Sequence, residues 1–264
     1  MNKKIILIFT SISILSAFIC FLGLFWAVFD KHDTIQSNKR VDHVNSEEKK
    51  NSSNTVHIVA LGDSLTRGIG DDKGKGYVGD LKDMLIKKSK KKIQVTNHAI
   101  GGQTSSELLK QLKQPEVRRQ LRQADIILIS TGANDLFQGG AALDHLNMSY
   151  FNSIEKRYLV NAKHVYSTLR SLNSHATVFH IGLYNPFIDL EQSKLTSKMV
   201  SKWNVDNANL TRDYKKMIYV PTFDLFQLNV NDYLYSDKFH PNTKGYQLIA
   251  ERVVSLIVFH EEGK

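Results

Sequence analysis

From Thr55 onward, short apolar runs alternate with longer amphipathic stretches about five times, and this alternation restricts the folds open to the chain more than any other feature. The runs VHIVALG, KIQVTNHAI, ADIILIST, TVFHIGLY and MIYVPTF are rich in β-branched residues and short enough for strands. Between them the spacing predicts helices over 78–88, 105–112, 116–121, 154–172 and 195–214, with a last one over 246–259. Alternating strands and helices imply an α/β architecture, a mostly parallel sheet covered on both faces, whose ligands bind beyond the C-terminal ends of the strands. Gly62, Asp63 and Ser64 follow the first run, Gly101 and Gly102 the second, and Gly132, Ala133, Asn134 and Asp135 the third. Polar residues and glycines therefore gather where such a fold places its site.

Upstream of this pattern, residues 5–29 form a run of 25 residues without a charge, preceded by Lys3 and Lys4. That length suffices for a helix to cross a bilayer, and the lysines favour a cytoplasmic N-terminus, so a retained transmembrane signal anchor (1–29) with the rest of the chain outside is expected. A cleaved signal peptide is the competing reading, but FWAVFDKHD offers bulky residues where a small-x-small cleavage site belongs. Residues 30–55 contain only three large aliphatic residues, Ile35, Val41 and Val44, and read as a polar linker to a domain over 56–264. The single cysteine, Cys20, lies inside the apolar run, which excludes disulfides and thiol catalysis from the remainder.

Net charge is +9; Lys3 and Lys4 supply two of these charges and the run adds no acid, so residues 30–264 carry +7. Such a balance attracts polyanions, including anionic cell-wall polymers. The densest cluster, KKSKKK at 87–92, also reads as a helix end whose lysines complement the dipole. It has neither interleaved aromatics nor a nucleic-acid motif, so no nucleic-acid partner is expected.

Four segments carry candidate chemistry. In ALGDSLTRG (60–68), a serine on a tight turn after a buried strand exposes its hydroxyl at the sheet edge, and the preceding glycine lets the backbone bend. Asp63 or Ser64 also suits a helix cap. In NHAIGGQTS (97–105), a glycine can present an unobstructed backbone N–H, and in STGANDLF (130–137) the Asn134 amide can donate to an oxyanion or simply serve a turn. In SDKFHP (236–241), Asp237 and His240 lie three apart: a metal pair, a surface accident, or a base with its orienting carboxylate. Pro241 there suits the first position of the last helix. The remaining histidines, His57, His98, His145, His164, His175 and His180, show no paired ligand spacing, and Asp63 and Asp135 suit loop organisation better than reaction.

Taken together, in the order Ser, Gly, Asn, Asp-x-x-His, these segments resemble the SGNH family of GDSL esterases and lipases over about 57–258. The resemblance matches Ser64 to the nucleophile, with Asp237 and His240 completing the triad. Backbone N–H of Ser64 and Gly102 and the side chain of Asn134 match the oxyanion hole. It implies a three-layer α/β/α sandwich of flavodoxin-like type with a five-stranded parallel sheet, and hydrolysis of carboxylic esters through an acyl-enzyme with no metal or organic cofactor. Lipid esters such as lysophospholipids, O-acetyl groups of wall polysaccharide, and non-catalytic binding of an anionic polymer are the candidate roles. One departure is Gly-Gly-Gln-Thr at 101–104, where many members have Ser-Gly-Asp-Thr, which leaves the choice between Gly101 and Gly102 to the x-Thr-Ser that should open the next helix. Phe137, Leu143, Phe187 and Leu190, after the third and fourth strands, suggest an acyl-chain wall, and buried core contacts explain them equally well.

Overall fold

The computed structural model describes residues 54–89 and 91–259. The apolar run at 5–29 and nearly all of the linker lie outside these residues; among the described residues no helix is long and apolar enough to cross a membrane. Five strands form one parallel sheet: β1 (Thr55–Gly62), β2 (Lys92–Asn97), β3 (Ile126–Ser130), β4 (Thr177–Ile181) and β5 (Met217–Val220), in the order β2-β1-β3-β4-β5. The flavodoxin-like arrangement expected from the resemblance is the one observed.

Helices fill the connections: α1 (Ser64–Arg67), α2 (Gly76–Ser89), α3 (Ser105–Gln111), α4 (Pro115–Gln123), α5 (Ala133–Phe137), α6 (Met148–Leu172), α7 (Ser193–Thr211), α8 (Phe223–Phe226), α9 (Val230–Tyr233) and α10 (Thr243–Leu256). Because side chains alternate across a strand, Val59, Leu61, Ile127 and Ile129 pack on one face with Leu108, Leu121, Tyr158, Val165 and Trp203 from α3, α4, α6 and α7. Ile58, Ala60, Leu128 and Ile181 pack on the other with Tyr77, Leu81, Tyr246 and Ile249 from α2 and α10. All five residues of β3 are buried, as a central strand covered on both sides requires. The edge strand β2 opens instead on the exposed Lys92, which discourages pairing with another chain.

Several boundaries differ from expectation for local reasons. Helix α6 begins at Met148 rather than 154, because the Asn147 side chain accepts the backbone N–H of Tyr150 and caps a first turn there. Pro241 is not the first helical residue: α10 starts two residues later, capped by Asn242, whose side chain accepts from the backbone of Lys244 and Gly245. Residues 257–259 continue past α10 in non-helical form, and α7 ends at Thr211 rather than 214. Strand β1 begins at Thr55, one residue before the expected boundary.

The chain runs from β1 to β2 on one side and then returns to β3 on the other side of β1. A crevice therefore opens beyond the C-terminal ends of β1 and β3, the switch point at which this class of sheet binds ligands.

Candidate active site

Ser64 is the first residue of α1, immediately beyond β1 and its N-cap Asp63. A glycine is needed at 62 because a Cβ there would lie 2.2 Å from the Ser130 carbonyl oxygen on β3. Asp63 is buried; its carboxylate accepts from the Leu65 backbone (3.1 Å) and from the Ser130 hydroxyl (2.6 Å). Since Ser130 donates to Asp63, it accepts from Thr66 (2.8 Å), and Thr66 in turn takes the Tyr77 hydroxyl proton at 2.7 Å. Burial pushes the Asp63 carboxyl above its ordinary value, and the donors from Ser130 and Leu65 pull it back in part. The expectation that Asp63 organises the turn holds, and its supporting chain of hydroxyls was not visible in the sequence.

The turn 234–241 brings the last residues in. It is closed by a bond from the Tyr235 N–H to the His240 carbonyl (2.8 Å), an isolated bridge between Leu234 and Pro241, and a left-handed Lys238 at φ 56°. His240 Nε2 lies 2.8 Å from Ser64 Oγ, and its Nδ1 lies 2.7 Å from Asp237 Oδ2. The other carboxylate oxygen accepts the backbone N–H groups of Phe239 and His240, both at 2.9 Å. Burial raises the Asp237 carboxyl, but these bonds, that of the His240 ring first, outweigh it and hold the group below the usual carboxylate range. Both ring nitrogens are thus engaged, so a metal could bind His240 only by displacing Ser64 or Asp237. Such a row can move a proton from a hydroxyl to an imidazole whose tautomer is fixed from behind.

The loops after β2 and β3 complete the crevice. The Ile100 N–H donates to the Gly62 carbonyl (2.8 Å), and the Asn134 side-chain amide donates to the Gln103 carbonyl (3.1 Å), so residues 100–103 lie between the Ser64 turn and α5. Gly102 is exposed with φ +76°, and the space where its Cβ would stand is open. Among the described residues, neither the Ser64 nor the Gly102 N–H has an acceptor, and Asn134 keeps a second amide proton. Thr104 and Ser105 open α3, with Glu107 closing a capping box on Thr104. The unusual Gln103 turns inward to the Gln111 side chain (3.1 Å). Asp135 accepts both the backbone N–H (2.9 Å) and hydroxyl (2.6 Å) of Ser105, clamping α5 to α3. Burial raises its carboxyl, offset in part by Ser105.

Beside Ser64 lies an apolar pocket walled by Phe137, Leu183, Tyr184, Pro186 and Phe239, with a volume of about 30 Å³. That is room for roughly two water molecules. Phe187 is buried behind it, 4.9 Å from the Phe137 ring and 5.9 Å from Phe239 by centroids. Leu143 packs on the core and Leu190 is 46 % exposed, so of the four residues expected to line an acyl wall only Phe137 does. Leu183 and Phe239 line it without having been expected to. A larger cavity, about 460 Å³, opens at the opposite end of the sheet against Thr55, Ile126 and Thr177, and contains none of the residues around Ser64. Within the lysine cluster, Lys88 donates to the Val254 and Ile257 carbonyls and Lys91 covers the Phe259 ring, which fits the helix-end reading.

A flavodoxin-like sheet with a serine, histidine and aspartate hydrogen-bonded in a row at its switch point defines a class, the carboxylic ester hydrolases of SGNH fold. The family follows from comparison: residues 60–248 match the GDSL-like lipase/acylhydrolase family, and the chain belongs to it. It is 35% identical over 209 residues to the uncharacterized protein YpmR of Bacillus subtilis, covering 76% of this chain and 81% of the relative. It is 26% identical to the spore germination lipase LipC of Bacillus licheniformis, over 75% of this chain and 95% of the other. Among solved structures it resembles the lipase Lip_vut3 from a goat rumen metagenome, with a TM-score of 0.68 and 25% identity over 76% of this chain and 96% of that one.

Proposed function

We propose that Ser64 is the nucleophile of this ester hydrolase, His240 its base and Asp237 the group that orients the base. His240 Nε2 takes the Ser64 proton as Oγ adds to the ester carbonyl, and the tetrahedral oxygen is met by the N–H groups of Ser64 and Gly102 and by the Asn134 amide. The imidazolium then protonates the leaving alcohol, giving an acyl-enzyme. Water enters, His240 removes its proton, and collapse of the second tetrahedral intermediate releases the acid and returns the proton to Ser64. The observation that carries this reading is the 2.8 Å contact between Ser64 Oγ and His240 Nε2, with Asp237 behind it at 2.7 Å.

The apolar wall beside Ser64 supports an acyl group as the recognised end of the substrate, as in an acyl lipid or lysophospholipid ester. A second reading, removal of O-acetyl groups from wall polysaccharide, is favoured by the small pocket volume of about 30 Å³. Aryl esters with acyl chains of about two to sixteen carbons, offered to the wild type and to Ser64→Ala, test both. An optimum at eight carbons or more supports the lipid reading, an optimum at two supports the deacetylase, and equal rates for the two proteins dispose of Ser64 as nucleophile.

For placement, residues 1–29 act as a retained single-pass anchor that holds the domain outside the cell membrane. The uncharged run of 25 residues behind two lysines supports this. A mass for membrane-extracted protein that lacks residues 1–29 would overturn it. An anionic wall polymer remains a candidate partner through the exposed Lys87 and Lys92; polymer binding unchanged in Lys87→Ala/Lys92→Ala would remove that support.

A further inference from the structure

The turn that carries His240 is closed by its own hydrogen bonds, and what sets it against Ser64 must come from outside it. Tyr235, Ser236, Asp237 and Lys238 are all exposed, yet the His240 ring must sit 2.8 Å from a hydroxyl 176 positions away in the chain. One hold comes from the loop after β4, where the Tyr184 hydroxyl donates to the Phe239 carbonyl (2.6 Å). The other comes from GIGDDKGKG, residues 68–76, the loop that follows the short helix of Ser64 itself. The Ile69 N–H donates back to the Ser64 carbonyl (3.1 Å), and the Ile69 carbonyl accepts the Tyr246 hydroxyl from α10 (2.6 Å). Gly70 lies so close to the histidine turn that a Cβ there would be 2.7 Å from the Pro241 carbonyl oxygen and 3.0 Å from His240 Cβ. This loop therefore touches the nucleophile's helix at one end and the base's turn at the other.

Asp71 fixes the shape of that loop. It is 9 % exposed, and its carboxylate accepts four hydrogen bonds: from the backbone of Lys73 (3.1 Å), Lys75 (2.8 Å) and Gly76 (2.8 Å), and from the hydroxyl of Thr243 (2.5 Å). Thr243 is the first residue of α10, three positions after His240. One carboxylate thus folds the loop upon itself and ties it to the backbone just beyond the base. Burial alone would raise this carboxyl, but the donors, Thr243 first, hold it below the usual carboxylate range, so it accepts fully at any pH where an imidazole can act as base.

We propose that Asp71 is a positioning residue: through Thr243 and Gly70 it sets the distance between His240 and Ser64. This rests on the reading of Ser64 and His240 as nucleophile and base. Displacement of a reacting group by about 1 Å can cost roughly 10²-fold in rate. In the full-length protein, Asp71→Asn and Thr243→Val each lower kcat for p-nitrophenyl acetate by about 10- to 100-fold and leave KM within about twofold, because neither residue faces the pocket. Thr243→Ser, which keeps the hydroxyl, recovers most of the rate lost by Thr243→Val. Asp71→Asn/Thr243→Val is little worse than either single variant, since both cut the same tie. Phosphonylation of Ser64 by a fluorophosphonate slows in parallel, and the His240 Nδ1 proton resonance broadens, below the melting temperature of each variant. A folded Asp71→Asn protein with kcat within twofold of wild type, or a double variant whose loss is the product of the single losses, overturns the proposal. Were the wild type to hydrolyse no ester, the serine-esterase reading would fall instead, and an unchanged Nδ1 resonance in Thr243→Val would still refute the positioning role of Asp71.

Discussion

Replacing Asp237 by asparagine changes one oxygen for an NH₂ group, and the hydrogen bonds around it dictate the consequence. The carboxylate meets His240 Nδ1 with one oxygen (2.7 Å) and two backbone N–H groups with the other (2.9 Å each). If the amide keeps its oxygen on the two N–H groups, its NH₂ faces the ring, which must then carry its proton on Nε2. In that tautomer Nε2 donates to Ser64 and cannot take its proton. The flipped amide would set its NH₂ against two donors, losing two bonds worth about 1 kcal/mol each and adding repulsion, so the unproductive arrangement is the stable one. A serine hydrolase deprived of the correct tautomer loses about 10⁴-fold in kcat, equivalent to about 5 kcal/mol of barrier. KM changes little, because Asp237 does not line the pocket, and unfolding free energy falls by no more than about 1 kcal/mol, because both backbone bonds survive. Steady-state kinetics on an aryl ester with a thermal melt in parallel measure both quantities. A folded variant that keeps more than about a tenth of the wild-type kcat would refute the tautomer argument.

Four further outcomes are expected. Asn134→Ala removes one oxyanion donor and lowers kcat by about 10²–10³-fold with KM nearly constant; an unchanged kcat would take Asn134 out of the site. Phe239→Ala opens the pocket wall, and the ratio of kcat/KM for octanoyl over acetyl esters rises by about tenfold, measurable in a single chain-length series. Incubation with EDTA leaves the rate unchanged, whereas a metal role for Asp237 and His240 would show as a loss. His180 is buried on β4 against the Tyr166 hydroxyl, and burial lowers its pKa from 6.5 to about 4. The unfolded chain therefore binds this proton from about pH 6.5 downward while the native state excludes it until about pH 4, so stability is full above 6.5 and declines through that window. Between pH 7 and pH 5 the wild type loses about 2 kcal/mol relative to His180→Gln, read from denaturant unfolding at each pH; parallel slopes would contradict the burial of a neutral imidazole.

The sheet was legible because β3 and its neighbours are buried on both faces and so read as unbroken apolar runs. The placement of the candidate site was legible because Ser64, Gly102, Asn134, Asp237 and His240 follow strand ends or fall in one tight turn, where sequence position and spatial position coincide. What escaped was set by distant contacts. Asp71 sits among glycines and lysines with nothing local to mark it, and its partner Thr243 is 172 residues away. Tyr184 and Ser130 likewise act through hydroxyls that reach other loops, and Phe187 and Leu190, three residues apart on one loop, part into core and solvent. The early start of α6 did have a local signal, Asn147 ahead of Tyr150, but SYFN is a poor helix former by composition and tertiary packing of Phe151 overrides it.

The most direct test is covalent. Treating the wild type with a fluorophosphonate and sequencing the modified peptide by mass spectrometry should place a single phosphonyl group on Ser64, abolish ester hydrolysis in proportion to labelling, and label His240→Ala far more slowly. A label on another residue, or hydrolysis that survives complete modification of Ser64, would contradict the account.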